Sequence, residues 1–255
     1  MRGYNVFYPF GFDDNGLPTE RLVEKEIGKK GSEMDRTEFT KLCLETTQKY
    51  QEIFKKLWIS IGISADWSLV YSTISPLAQR ISQRSFLELL EKGKIRRENT
   101  PALWCTECQT GIAQAELDDK ELESVFYDIA FSGENGKEIV IATTRPELLP
   151  ACVAVFVHPE DERYMEWHGK NVTTPLGQEV PVIVDDTVAK EKGTGAVMCC
   201  TYGDETDLMW RKKHDLPERI IISKTGHIEG THIPELDGLY LKKARGAIVS
   251  LLREK

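Results

Sequence analysis

Tyr4-Asn-Val-Phe-Tyr-Pro-Phe-Gly-Phe-Asp-Asp-Asn-Gly-Leu-Pro-Thr-Glu20 is the stretch whose reading decides the fold class. Residues 4–10 form an aromatic and β-branched run closed by Pro9 and Gly11, which predicts a short buried strand. A polar loop follows over 11–16, and Leu17-Pro18-Thr19-Glu20 opens a helix with proline in the tolerated first turn. Strand, loop and helix make half of a parallel α/β unit. Outward from there, Asp35-x-x-Glu38 reads as a helix start. Phe39, Leu42, Tyr50, Ile53, Phe54, Leu57, Trp58 and Ile61 then recur at helical spacing up to Gly62. Another helix begins at Ser75-Pro76, carries Leu77, Ile81, Phe86, Leu87 and Leu90, and stops at Gly93. Beyond Gly93 the texture changes to short β-rich runs at 124–131, 137–144, 152–157, 180–184 and 196–201, with Gly133-Glu-Asn-Gly136 as a hairpin turn. A mostly β domain over about 122–237 follows, and residues 239–254 return to helical spacing through Leu241, Ala244, Ile248 and Leu251.

The 255 residues carry 33 Lys and Arg against 41 Asp and Glu, a net charge of −8, so bulk charge does not point to nucleic acid. No run approaches the roughly 18–20 apolar residues of a membrane helix, and the N-terminus lacks the pattern of a secretory leader. The expectation is a cytoplasmic protein with no membrane partner. Six cysteines in a chain of this length suit reduced thiols and a metal pair better than a disulfide framework.

Four constellations carry chemistry. Cys105-Thr-Glu-Cys108 has metal-knuckle spacing, but tetrahedral zinc takes four ligands and no second pair is evident; Cys199 and Cys200, adjacent in a strand, should face opposite ways. Asp13 and Asp14 lie between strand end and helix, where parallel sheets bind ligands; the same residues suit an ordinary turn. Thr143-Thr144-Arg145-Pro146-Glu147 places two hydroxyls and a guanidinium at a strand end, fit either to bind a carbonyl, ribose or phosphate or to cap the next turn. Finally, Gly193-Thr-Gly195 leads into a strand and then Asp204-Glu-Thr-Asp207. With Asp204 as a helix cap, both aspartates project from one helix end, a position that the helix dipole favours in any case.

In order and at this spacing, these segments resemble the valyl-tRNA synthetase family, in the leucine/isoleucine/valine group of class I aminoacyl-tRNA synthetases. The resemblance runs over essentially the whole chain. MRGYNVFYPFGFDDNGLPTERLVEKE, LWCTECQTGIAQAELDD, IATTRPELLPACVAVFVHPEDERY and KGTGAVMCCTYGDETD carry it. It implies an α/β protein: a partial Rossmann-like catalytic domain over 1–93, a cysteine-knuckle connector over 94–121, an inserted β-barrel-like editing domain over 122–237, and a returning helix over 238–255. It also implies that Asp13 binds the amino acid's ammonium in the synthetic site. Thr143, Thr144, Arg145, Asp204 and Asp207 would line the editing pocket, with Asp207 gripping the ammonium of a misattached threonyl group. Cys105 and Cys108 would supply half of a zinc site. The implied partners are tRNA(Val), the valine and threonine moieties and the rest of the parent synthetase, with ATP used by the complete enzyme.

Editing has a physical cause. Threonine and valine have nearly equal volumes, so an apolar pocket rejects the extra hydroxyl poorly, and valyl-tRNA synthetase is itself the standard instance of that limit. The ester is already activated, so oriented water and stabilisation of the oxyanion suffice, without a nucleophilic side chain. At an ordinary carboxylate pKa, Asp207 is ionised near neutrality and serves binding, not base catalysis. The family's His-x-Gly-His and Lys-Met-Ser-Lys-Ser signatures do not occur among these residues, so this chain alone is expected not to form valyl-adenylate and reads as an internal piece. Some relatives carry a lysine near the position of Met198. The alternative reading is a non-catalytic tRNA-binding remnant that uses Arg96-Arg97 and Arg211-Lys212-Lys213.

Overall fold

A computed structural model describes residues 3–118, 120–121 and 123–254; residues 1, 2, 119, 122 and 255, which include ends of the expected domain spans, lie outside the described residues. The chain divides into two compact units, Met1–Asn99 and Thr100–Lys255.

In the first unit, β1 (Pro9–Phe12) leads into α1 (Leu17–Ile27), then α2 (Arg36–Ser60), β2 (Asp66–Ser72) and α3 (Pro76–Glu91). β1 and β2 run parallel, with Pro9 opposite Asp66 and Phe12 opposite Ser72. The expected strand over 4–10 is thus corrected to 9–12. Pairing begins only where β2 offers a partner, and Tyr4, Val6 and Phe7 stand exposed. Phe10 packs among Phe12, Trp58 and Trp67. Asp35 caps α2 by accepting from the Thr37 and Glu38 N–H groups, and Ser75 caps α3. The predicted apolar stripes of both helices form, but Leu57, Ile61, Leu77, Ile81, Phe86 and Leu90 on them remain exposed.

The second unit opens with the two-residue strands β3 (Trp104–Cys105) and β4 (Thr110–Gly111), an antiparallel pair. A six-stranded sheet follows, built from β5 (Tyr127–Ser132), β6 (Glu138–Thr143), β7 (Ala154–Val157), β8 (Asn171–Thr173), β9 (Glu179–Val184) and β10 (Ala196–Cys199). Its order is β10-β7-β9-β8-β5-β6. β10 and β6, at the two ends, lie against each other, so the sheet curls into a nearly closed barrel. Within this sheet only β7 and β9 pair in parallel. In β5, Ile129 and Phe131 turn inward while Asp128, Ala130 and Ser132 face solvent, the period-two alternation of a half-buried strand. β7 is buried on both faces: Val155 and Val157 join the main core, and Ala154 and Phe156 a second one. α4 (Glu205–Lys213) covers that second face, with the Trp210 ring stacked 4.3 Å from Phe156. α5 (Leu241–Glu254) closes the main core through Ala244 and Ile248. Cys199 belongs to the second core and Cys200 to the first, so the adjacent thiols do point opposite ways.

Candidate active site

A cleft of about 250 Å³ opens in the second unit between the end of β6, the start of α4 and the 187–192 segment. β6 ends at Thr143, and the chain turns through Thr144 and Arg145 into a 3₁₀ stretch, Pro146–Ala151, because proline cannot continue the ladder. The Thr143 hydroxyl accepts from the Arg145 N–H at 3.0 Å. On the opposite wall, Asp204 caps α4, accepting from the Asp207 N–H at 2.9 Å. That fixes Asp207 in the first helical turn. All five predicted pocket residues, Thr143, Thr144, Arg145, Asp204 and Asp207, line this one cleft, together with Met198 and Cys200.

Asp207 departs from the ordinary carboxylate expected of it. It is 7% exposed, and its pKa is raised to about 6, first by burial and then by the nearby charge of Asp204, with hydrogen bonds from the Cys200 backbone and the Cys199 thiol opposing. Gly203 lies directly beneath this carboxylate: a Cβ there would overlap Asp207 Oδ2 and crowd Leu148. Glycine is therefore the residue that lets the acid lie flat on the turn.

Several participants carried no assigned role in the sequence. Glu147 follows Arg145 by two positions and is 2% exposed, an acid in an apolar run that no periodicity explains. It receives a two-pronged ion pair from Arg245 of α5, at 2.8 and 2.9 Å, and a longer contact from Arg145 at 3.5 Å. Arg145 in turn donates from Nη1 to the Gly203 carbonyl at 2.6 Å. The glycine loop over 193–195 is held in place. Arg163 clamps Asp161 and also donates to the Lys190 carbonyl at 2.9 Å, and the Tyr164 hydroxyl donates to the Thr194 carbonyl at 2.6 Å. A side chain at Gly195 would strike Arg163 Nη2 at 2.5 Å and the Lys190 carbonyl at 2.8 Å. The segment 187–192, which supplies Thr187, Val188, Ala189 and Lys192 to the cleft wall, is thereby pinned.

The remaining predicted residues lie apart from this cleft. Asp13 is exposed in the first unit, where the Thr73 hydroxyl donates to it at 3.3 Å. Its neighbour Asp14 is bound more closely, by the Gln51 amide at 2.6 Å and the Ser72 hydroxyl. Both acids border a separate cleft lined by Thr19, Thr46, Tyr50 and Gln51. Cys105 and Cys108 converge across the β3–β4 turn. Their sulfurs are 3.2 Å apart, the Cys108 N–H points at Cys105 Sγ, and Gln109 takes the left-handed conformation that tightens the knuckle. This suits two of zinc's four ligands, and among the described residues no group of three His, Cys, Asp or Glu side chains is placed to hold a metal. Within the basic clusters, Arg96 pairs with Glu98, Arg211 with Glu218, and Lys213 with Asp185 and Asp186. No helix among the described residues is long and apolar enough to cross a membrane.

A family model matches the sequence over the parallel α/β unit and the near-barrel. The chain belongs to the tRNA synthetases class I (I, L, M and V), whose model covers residues 1–237. Within that family it is similar to the Valine--tRNA ligase of Rickettsia conorii (strain ATCC VR-613 / Malish 7), 52% identical over 256 residues, covering 100% of this chain and 32% of that protein. It is also similar to the Valine--tRNA ligase of Rickettsia prowazekii (strain Madrid E), likewise 52% identical, with 31% of that protein covered. The chain therefore spans about a third of the length of these curated relatives. A solved LeuRS–tRNA–LeuAMS ternary complex from Agrobacterium radiobacter K84 overlaps 99% of this chain and 39% of its own, at 21% identity and a TM-score of 0.42.

Proposed function

We propose that this chain is part of a valine--tRNA ligase and that the cleft of its second unit is an editing site, which hydrolyses threonine misattached to tRNA(Val). One observation carries the reading: a buried carboxylate, Asp207, held at the floor of a cleft whose rim bears the Thr143 and Thr144 hydroxyls and the Arg145 guanidinium. An α-ammonium is the cation that such an acid suits, since the pair forms charge-assisted hydrogen bonds in a place sheltered from water. Bound there, the ammonium also returns Asp207 to its ionised form. Water adds to the ester carbonyl, and the tetrahedral oxyanion draws on the donors at the end of β6. The C–O bond to the terminal ribose breaks, and the ribose oxygen leaves with a proton, giving threonine and tRNA(Val). The hydroxyls at the rim offer the threonine side chain a partner that valine cannot use.

In the complete enzyme, ATP and valine serve the synthetic site, to which Asp13 contributes ammonium binding; no step in the editing cleft consumes ATP. Cys105 and Cys108 would hold zinc as two ligands of a set, a structural role. The test is deacylation of threonyl-tRNA(Val) by the whole chain. Hydrolysis well above buffer, at least 100-fold slower in Asp207→Ala and sparing valyl-tRNA(Val), is the expected result. Equal rates for the two proteins would overturn the reading.

A further inference from the structure

We infer that Glu147 and Arg245 are positioning residues for the editing cleft: by occupying the buried Glu147 carboxylate, Arg245 leaves Arg145 free to hold the loop on which Asp207 rests. The inference rests on the editing reading above and extends it to residues that line no part of the cleft.

Two guanidiniums compete for one buried acid. Arg245 takes both Glu147 oxygens, at 2.8 and 2.9 Å, and Arg145 keeps only a 3.5 Å contact through Nε. Arg145 Nη1 is therefore available to the Gly203 carbonyl, which it meets at 2.6 Å. Gly203 in turn lies against the Asp207 carboxylate, with no space for a Cβ between them. The linkage runs α5, Glu147, Arg145, Gly203, Asp207. Without Arg245, Glu147 would be a buried acid short of two charge-assisted bonds, and Arg145 is the cation within reach. Its guanidinium would swing toward Glu147 and release Gly203. α5 itself stays docked, because Ala244 and Ile248 anchor it in the main core independently of Arg245.

The test uses the full chain and two readouts, amide hydrogen exchange of the 201–207 segment and hydrolysis of threonyl-tRNA(Val). Glu147→Gln alters a buried site and risks misfolding, so Arg245→Ala, at a side chain 43% exposed, is the deciding variant. It is expected to exchange at least fivefold faster in 201–207 alone, and to lose at least tenfold in kcat/KM. Arg245→Lys, which keeps the charge but gives up the fork, should fall between the two. Unchanged exchange in 201–207 would overturn the proposal, as would faster exchange spread evenly over the second unit, which marks a merely structural loss. If the wild-type chain hydrolyses nothing, the editing reading fails, and the exchange pattern alone still decides whether Arg245 holds the loop.

Discussion

Asp207 carries a carboxylate into a site that disfavours its charge. Folding holds its pKa at about 6 against an ordinary 3.8, chiefly through burial. The folded chain therefore binds a proton there that the unfolded chain has already released between those values. Acid favours folding through this group, and the benefit disappears as the pH climbs through 6. At pH 7 the buried charge costs on the order of 3 kcal/mol. Asp207→Asn is accordingly expected to raise stability by about 1–3 kcal/mol at pH 7.5, with the gain shrinking as the pH falls and gone by about pH 3, as denaturant titration across that range would reveal. The same variant should lose threonyl-ester hydrolysis, and in the wild type that activity should decline as the pH is lowered through about 6. Function here is bought with stability. At this scale the sequence was partly readable. The spacing of Asp204 and Asp207 gave the cap and the shared helix end, but nothing local revealed the burial that shifts Asp207. Glu147 stood in plain view beside Arg145, yet its partner Arg245 lies 98 positions away.

α4 is the element that presents Asp207, and it is fastened at both ends. Asp204 caps its start, while Lys213 and His214 at its end reach the side chain of Asp185 just beyond β9, at 2.9 and 2.7 Å. Burial alone would raise Asp185, but hydrogen bonds from His214, Thr187 and Lys213 outweigh it and hold the carboxyl far below its ordinary range. That stabilisation is present above pH 4 and is lost as the pH falls toward strong acid. Asp185→Asn should therefore cost about 3 kcal/mol at neutral pH, seen as a lower melting temperature, with a smaller penalty as the medium is acidified. Helices and the main β runs were legible because caps and apolar periodicity are local signals. β2 and β8 were not read, since a strand of three residues, or one whose side chains remain largely exposed, carries little alternation. The first strand was placed too early because aromatic content was visible and its pairing partner, more than fifty residues on, was not.

At the scale of the whole chain the two units differ in how completely they bury their apolar residues. The second unit holds both core clusters, whereas Val23 is the sole aliphatic side chain of α1, α2 or α3 that is buried. A two-stranded parallel sheet with exposed helix stripes is not self-sufficient. Residues 1–99 expressed alone are expected to aggregate, and residues 100–255 to remain soluble; a monodisperse, cooperatively melting 1–99 segment would contradict this. The change of texture after Gly93 made the β-rich part of the chain visible in the sequence, because a barrel-like sheet obeys a different periodicity from the helices before it. The central claim is that Asp207 grips the ammonium of a misattached threonine. A crystal structure of the chain with a non-hydrolysable threonyl-amino-adenosine tests it most directly. The account predicts the threonyl nitrogen about 2.7–2.9 Å from an Asp207 oxygen, with the side-chain hydroxyl toward Thr143 and Thr144. The analogue bound elsewhere, with Asp207 turned away from it, would contradict the account.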